Sequence, residues 1–348
     1  MAEPAAPLNP GVASGVGSAD SSLLFRSRVL LLTGKGGTGK TTLAAATARF
    51  AAAQGRKTLL CELDNQRPSL TAIFGKVPTY EPQRVESGAP TGPGSRAAAA
   101  LSICNIEWMP ALDDWLADLV GVGRIVRMIM KNRMISIFLE AAPGARDLML
   151  LHRVVRLAEQ FDLVVVDMPA SGNAAGMLSV VSTARRLFDS GPIRRCAEDI
   201  DAMLRRPDTN LVVVSLPEEM VVNETMETRA RIAAEVPGLR QPLVLLNRAT
   251  PASLTSGEQE LLSRLAQADV GSEARELVEA GLWEERLERA TAEALTRLRG
   301  DAGRAGPGVV VLPVLGRGEG AAKVVGQLTA ALARQSRARV DLVGDVAR

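Results

Sequence analysis

The run Gly34-Lys35-Gly36-Gly37-Thr38-Gly39-Lys40-Thr41-Thr42 constrains this chain more than any other stretch. It satisfies G-x-x-x-x-G-K-[ST], follows the apolar run Arg28 to Leu32 and precedes the alanine-rich run Leu43 to Ala53, so it reads as a turn between a buried strand and a helix. In such a turn Gly34, Gly36, Gly37 and Gly39 let successive N–H groups converge. Together with the helix N-terminus they form a cradle for phosphate oxygens. Lys40 then reaches the β- and γ-phosphates, and the Thr41 hydroxyl completes a Mg²⁺ shell otherwise filled by water and phosphate. Glycine-rich turns also occur without nucleotides, but the complete motif in these flanks favours phosphate binding, with ATP and Mg²⁺ as the expected ligands.

Composition limits what else the chain can be. Its 348 residues suffice for one large core or two small ones, and 47% hydrophobic with 23% charged residues is ordinary for a soluble globular protein. Lys and Arg number 41 against 39 Asp and Glu, and the two signs are interleaved, so no basic footprint for nucleic acid is expected. Cys61, Cys104 and Cys196 lie far apart and form no C-x-x-C pair, which argues against zinc or a disulfide framework and fits a reducing cytoplasm. No run of 18 apolar residues occurs, so no transmembrane segment is expected.

Read in order, the chain alternates strands and helices. Residues 1–22 are rich in Pro, Gly, Ala and Ser and read as a disordered tail, followed by one domain over 23–333 and a polar tail over 334–348. The helix Lys40 to Gln54 leads to a strand at Lys57 to Leu63, an opening that forces a parallel sheet. Residues 81–96 read as a flexible insertion because of their Pro, Gly and Ser content. The segment 113–150 reads as a predominantly helical subdomain, rich in Met, Leu and Ile, that forms either a cap and dimer contact or a groove for apolar clients. Strands follow at Asp162 to Asp167, Asn210 to Ser215, Leu243 to Leu246 and Val309 to Leu312, and the charged stretch Gly257 to Leu298 reads as solvated outer helices. The lone histidine, His152, is assigned no chemistry.

Two acids fall at strand ends, where ligands bind in open α/β sheets. Asp64, after the second strand, is the best candidate to position and polarise an attacking water, with Glu62 as a competitor if it faces the same way. The alternative is a loop aspartate that caps the short helix Ser69 to Phe74. Asp167 ends the run Leu163-Val164-Val165-Val166, the hhhhD pattern of a Walker B strand, and would hold Mg²⁺ mostly through water.

Lys35 makes the loop resemble the deviant P-loops of the SIMIBI group of NTPases, which includes MinD, ParA, the nitrogenase iron protein and the arsenite-pump ATPase. The resemblance implies that this extra lysine reaches a partner's nucleotide across a dimer interface. Among these, the chain is most similar to the ArsA family of arsenite-pump and tail-anchored-protein-targeting ATPases, with its GKGGVGKTT loop, an aspartate after the next strand, and a D-x-P-x-[ST]-G-H switch. Here Thr38 stands for the valine, Asp64 is present, and Asp167-Met168-Pro169-Ala170-Ser171-Gly172-Asn173 carries Asn173 in place of the histidine. Leu139 to Gly144, Leu216 to Met220 and Asn223-Glu224-Thr225 also resemble the family. The Asp64 loop lacks the family's D-P-A-H sequence, and neither the intersubunit zinc cysteines nor the metalloid cysteine cluster is present.

The resemblance implies an α/β fold with a mainly parallel sheet, helices on both faces and an inserted helical subdomain. It implies a Mg²⁺-dependent ATPase in which Lys35 and Lys40 stabilise phosphate charge, Thr41 and Asp167 hold the metal, Asp64 handles the water and Asn247 reads adenine. With one P-loop, the chain should form a homodimer, or a heterodimer with a related ATPase, that holds or releases a partner or hydrophobic client. That places it in the cytoplasm, or at the membrane periphery through a partner. A MinD/ParA-type positioning ATPase and a nucleotide-gated holder with little turnover are the alternatives.

Overall fold

Val29, Leu30, Leu31 and Leu32 explain the architecture around them. Val29 and Leu31 belong to one buried cluster and Leu30 and Leu32 to another, so this strand is covered on both faces. A strand buried on both sides needs helices above and below, and its parallel neighbours show the same unbroken apolar pattern. The computed structural model of the protein describes residues 22–86, 99–119, 144–269, 271–300, 307–315 and 320–345.

The strands are β1 (Val29–Gly34), β2 (Thr58–Leu63), β3 (Gln83–Glu86), β4 (Leu101–Ile106), β5 (Leu163–Asp167), β6 (Thr209–Ser215), β7 (Arg240–Ala249) and β8 (Gly308–Pro313). Among the described residues they form one 8-stranded sheet in the order β3-β4-β2-β5-β1-β6-β7-β8. Every pairing is parallel except β3 with β4. One face carries α1 (Ser22–Arg26), α2 (Lys40–Ala53), α3 (Leu70–Phe74) and the C-terminal helix, here α11 (Ala321–Asp345). The other carries α4 (Trp108–Leu119), α5 (Ala145–Ala158), α6 (Ser171–Leu187), α7 (Pro192–Leu204), α8 (Glu219–Glu235) and α10 (Ser272–Arg299). Helix α9 (Ser256–Gln267) pairs with α10, has no buried residue, and starts on a Thr255–Glu258 capping box, as expected of a solvated outer helix.

Each Leu, Ile or Val removed from water in these two layers contributes about 1.5–3 kcal/mol. The parallel sheet with helices on both faces is thus the one expected. Segment boundaries differ in two places. Residues 83–86, expected to lie in a flexible insertion, form the antiparallel edge strand β3; an edge strand needs only one partner and tolerates polar residues such as Gln83 and Arg84. Residues 334–345, expected to be a tail, continue α11; Arg334, Gln335, Arg337, Ala338 and Arg339 are good helix formers that extend it from its buried part.

Of the expected helical subdomain, residues 113–119 end α4 and 145–150 begin α5, where Trp115, Met149 and Leu150 are buried in the protein's own core. The expected methionine-rich portion at 120–143 lies outside the described residues, as do the tail at 1–21 and the insertion at 87–96. Among the described residues no helix is long and apolar enough to cross a membrane.

Candidate active site

Strand order brings the P-loop and the two acids to one edge of the sheet. β1 lies between β5 and β6, and β5 lies between β1 and β2, so the loop after β1, Asp167 at the end of β5 and Asp64 just beyond β2 share the C-terminal edge. Asn247, near the end of β7, flanks them beyond β6.

Two glycines in the loop are dictated by space. Gly34 has φ 149° and a Cβ there would sit 2.3 Å from the Val214 carbonyl oxygen of β6. Gly39 has φ 89° and its Cβ would lie 2.7 Å from Asn247 Nδ2. Gly36 and Gly37 are exposed, whereas Thr38 is buried and its hydroxyl donates to the Lys35 carbonyl at 2.9 Å. The threonine in place of the family's valine therefore finds a partner inside the loop. Lys40 Nζ donates to the same Lys35 carbonyl at 3.2 Å. Burial lowers the Lys40 pKa, opposed by the charges of Asp167 and Glu224. Thr42 follows in the first turn of α2.

Thr41 Oγ1 donates to Asp167 Oδ2 at 2.5 Å. Asp167 Oδ1 is buried with no partner among the described residues. Burial raises the Asp167 pKa to about 6, with the Thr41 hydrogen bond opposing it. A hydroxyl and a half-satisfied carboxylate, both oxygen donors beside a phosphate cradle, are the donor set that Mg²⁺ takes. These residues fit that ion.

Asp64 adopts φ 46°, unusual for a residue with a side chain, and its backbone N–H donates to the Ile106 carbonyl at 2.8 Å. Its carboxylate pairs with Arg146 of α5. The competitor Glu62 is already committed: buried, it accepts from Asn65 Nδ2 and the Ser69 N–H, each at 2.9 Å, and from the Leu70 N–H at 3.5 Å. Glu62 thus supports the start of α3, while the Asp64 carboxylate faces Arg146.

Lys35 and Asn247 do more within the chain than their expected roles require. Lys35 Nζ lies 3.3 Å from Glu224 Oε2 of α8, and the other Glu224 oxygen accepts from the hydroxyl of Ser171, where the switch enters α6. Asn247 Nδ2 donates to the Thr38 carbonyl at 2.8 Å, bracing the loop from β7. Past Asn247, Glu288 of α10 accepts from the Ser253 and Leu254 amides at 2.7 and 3.2 Å and so holds the following loop. The switch is tied to β1 by Thr33 Oγ1 donating to the Pro169 carbonyl at 2.9 Å, and Asn173 is exposed. Reading motifs alone missed Arg146, Glu224 as an ion-pair partner, and Glu288. Only the position of Glu224 in Asn223-Glu224-Thr225 hinted at a role. His152 sits toward the opposite edge, lining a cavity with Arg28 and Asp199, and burial lowers its pKa.

Proteins similar to this chain include several named as ATPases. A family model described as anion-transporting ATPase matches residues 27–197. The ATPase BagA of Mycobacterium tuberculosis is 32% identical over 272 residues, covering 75% of each chain. An uncharacterized protein of Streptomyces coelicolor is 35% identical over 214 residues, 60% of this chain and 50% of that one. A Halobacterium salinarum protein named as an arsenical pump-driving ATPase is 25% identical over 246 residues, 65% of this chain and 36% of its own length.

Proposed function

The chain belongs to the ArsA-type ATPase family, and from that premise we propose that it binds ATP with Mg²⁺, hydrolyses it, and uses the cycle to change how two copies, or this chain and a related one, meet. The observation that carries the reading is the convergence of Lys40, Thr41 and Asp167 on a glycine cradle, with one Asp167 oxygen buried and unsatisfied. Mg²⁺, when bound, supplies charge neutralisation on the phosphates. The backbone amides from Gly34 to Thr41 bind and orient the phosphate tail, and Lys40 stabilises the charge that builds on it. Asp64 orients the attacking water and accepts its proton. Loss of the γ-phosphate would alter the Ser171 turn, which Glu224 links to Lys35. Release of Lys35 from Glu224 would free it for the partner's nucleotide, and the changed pairing would grip or release a partner protein or apolar client.

The decisive experiment is phosphate release by the purified protein with ATP and Mg²⁺, beside Lys40→Ala and Asp64→Asn. Both variants should lose release, and Asp64→Asn should keep the calorimetric signal of ATP binding and run as a dimer with ATP. No heat of ATP binding by the wild type would overturn the reading. Binding without turnover by the wild type would favour the holder.

A further inference from the structure

Asp64 is held by a cation that no motif announces. Its backbone is fixed from two sides: its N–H donates to Ile106, and the next residue, Asn65, exchanges two hydrogen bonds with Asn105, at 3.1 Å from its N–H and 3.0 Å to its carbonyl. The Asp64 side chain is only 6% exposed, so its charge is largely removed from water and needs a partner. Arg146 supplies one through its Nη2 on Asp64 Oδ2, while its own side chain stays 55% exposed. The arginine backbone is equally constrained. Gly144, at φ 84°, lies so close to α6 that a Cβ would meet Val180 Cγ1 at 2.7 Å, and Leu148 to Leu151 are buried in the core. The pair therefore joins two backbone segments that are each held in place, the turn after β2 and the start of α5.

We propose that Arg146 is a positioning residue for the hydrolytic reaction: it clamps Asp64 Oδ2 and leaves Oδ1 to take the water. This rests on the water-handling role proposed for Asp64. An arginine suits the task because it stays charged in any protein environment and fixes a carboxylate oxygen in direction as well as distance. The clamp acts on the chemical step and touches neither the phosphate cradle nor the Thr41–Asp167 pair.

The test is steady-state ATP hydrolysis by Arg146→Ala, Arg146→Lys and Asp64→Asn, with far-UV circular dichroism and ATP calorimetry as checks that each variant folds. Arg146→Ala should lose about tenfold or more in kcat with KM within about twofold of wild type, since the interaction lost acts in the transition state. Arg146→Lys should recover much of that loss. Millimolar guanidinium should reactivate Arg146→Ala, whose vacated position opens to solvent, and leave the wild type unchanged; a helix-start defect would not respond. A wild-type kcat in Arg146→Ala, a rise in kcat, or a loss that neither lysine nor guanidinium repairs would overturn the clamp. If Asp64→Asn is inactive while Arg146→Ala is normal, only the clamp fails. If Asp64→Asn turns over at the wild-type rate, the Asp64 role fails with it.

Discussion

Thr41 Oγ1 and Asp167 Oδ2 are 2.5 Å apart, joining the first turn of the helix after the P-loop to the end of the strand beside it. That bond satisfies one oxygen of Asp167 and leaves the other buried and, among the described residues, unpaired. The consequence can be read in pH. Because burial holds the Asp167 pKa near about 6, above an ordinary carboxylate's 3.8, folding is favoured by this group when it is protonated and loses that benefit as pH rises through about 6. Asp167→Asn, which cannot ionise, should match the wild type near pH 4 and exceed it above pH 7 by up to about 3 kcal/mol without nucleotide. Urea denaturation of both proteins across that range checks it. A constant difference would remove the buried charge from the account.

Gly39→Ala should damage binding before it damages the fold. Its φ of 89° disfavours any side chain, and the new Cβ would push on Asn247 Nδ2 from 2.7 Å. Strain of this kind costs about 1–3 kcal/mol. Thermal melting should show a modest drop, while calorimetry should show ATP affinity reduced at least about tenfold, because the cradle amides no longer converge.

Glu224 holds Lys35, the lysine proposed to meet phosphate. The pair is half exposed and contributes little to stability, about 0–1 kcal/mol, so Glu224→Gln should melt within a degree or two of wild type. The same change removes a negative charge that also acts on Lys40, so ADP and ATP should bind about two- to tenfold more tightly by calorimetry at low salt, with the gain shrinking at high salt. Weaker binding would show that the carboxylate orders the site instead of opposing the ligand.

Asn247 separates two roles by base preference. If it only braces the loop through the Thr38 carbonyl, Asn247→Ala should weaken ATP and GTP equally. If it also reads adenine, ATP should lose more than GTP, by about 1–3 kcal/mol for a lost polar contact in a buried site. Competition titrations with the two nucleotides give the answer directly.

The P-loop, the Walker B strand and the parallel sheet are legible in the chain because each depends on neighbours in sequence: a glycine spacing, an apolar run, a strand followed by a helix. The positive φ of Gly34 and Gly39 belongs to a turn their own segment makes, although Val214 and Asn247, which leave no room for a Cβ there, come from distant strands. By contrast, the choice between Glu62 and Asp64 turns on residues up to 8 positions ahead of Glu62 that claim its oxygens, and on Arg146, which lies 82 positions beyond Asp64. Lys35 has a partner in Glu224, and Asn247 reaches Thr38 across 209 positions. Local spacing determined which chemistry the chain carries. Which carboxylate is spent on structure, which is held by a cation, and which lysine is restrained were decided only when the sheet brought distant segments together, because the energy of a charge depends on what surrounds it in space and not on its neighbours along the backbone.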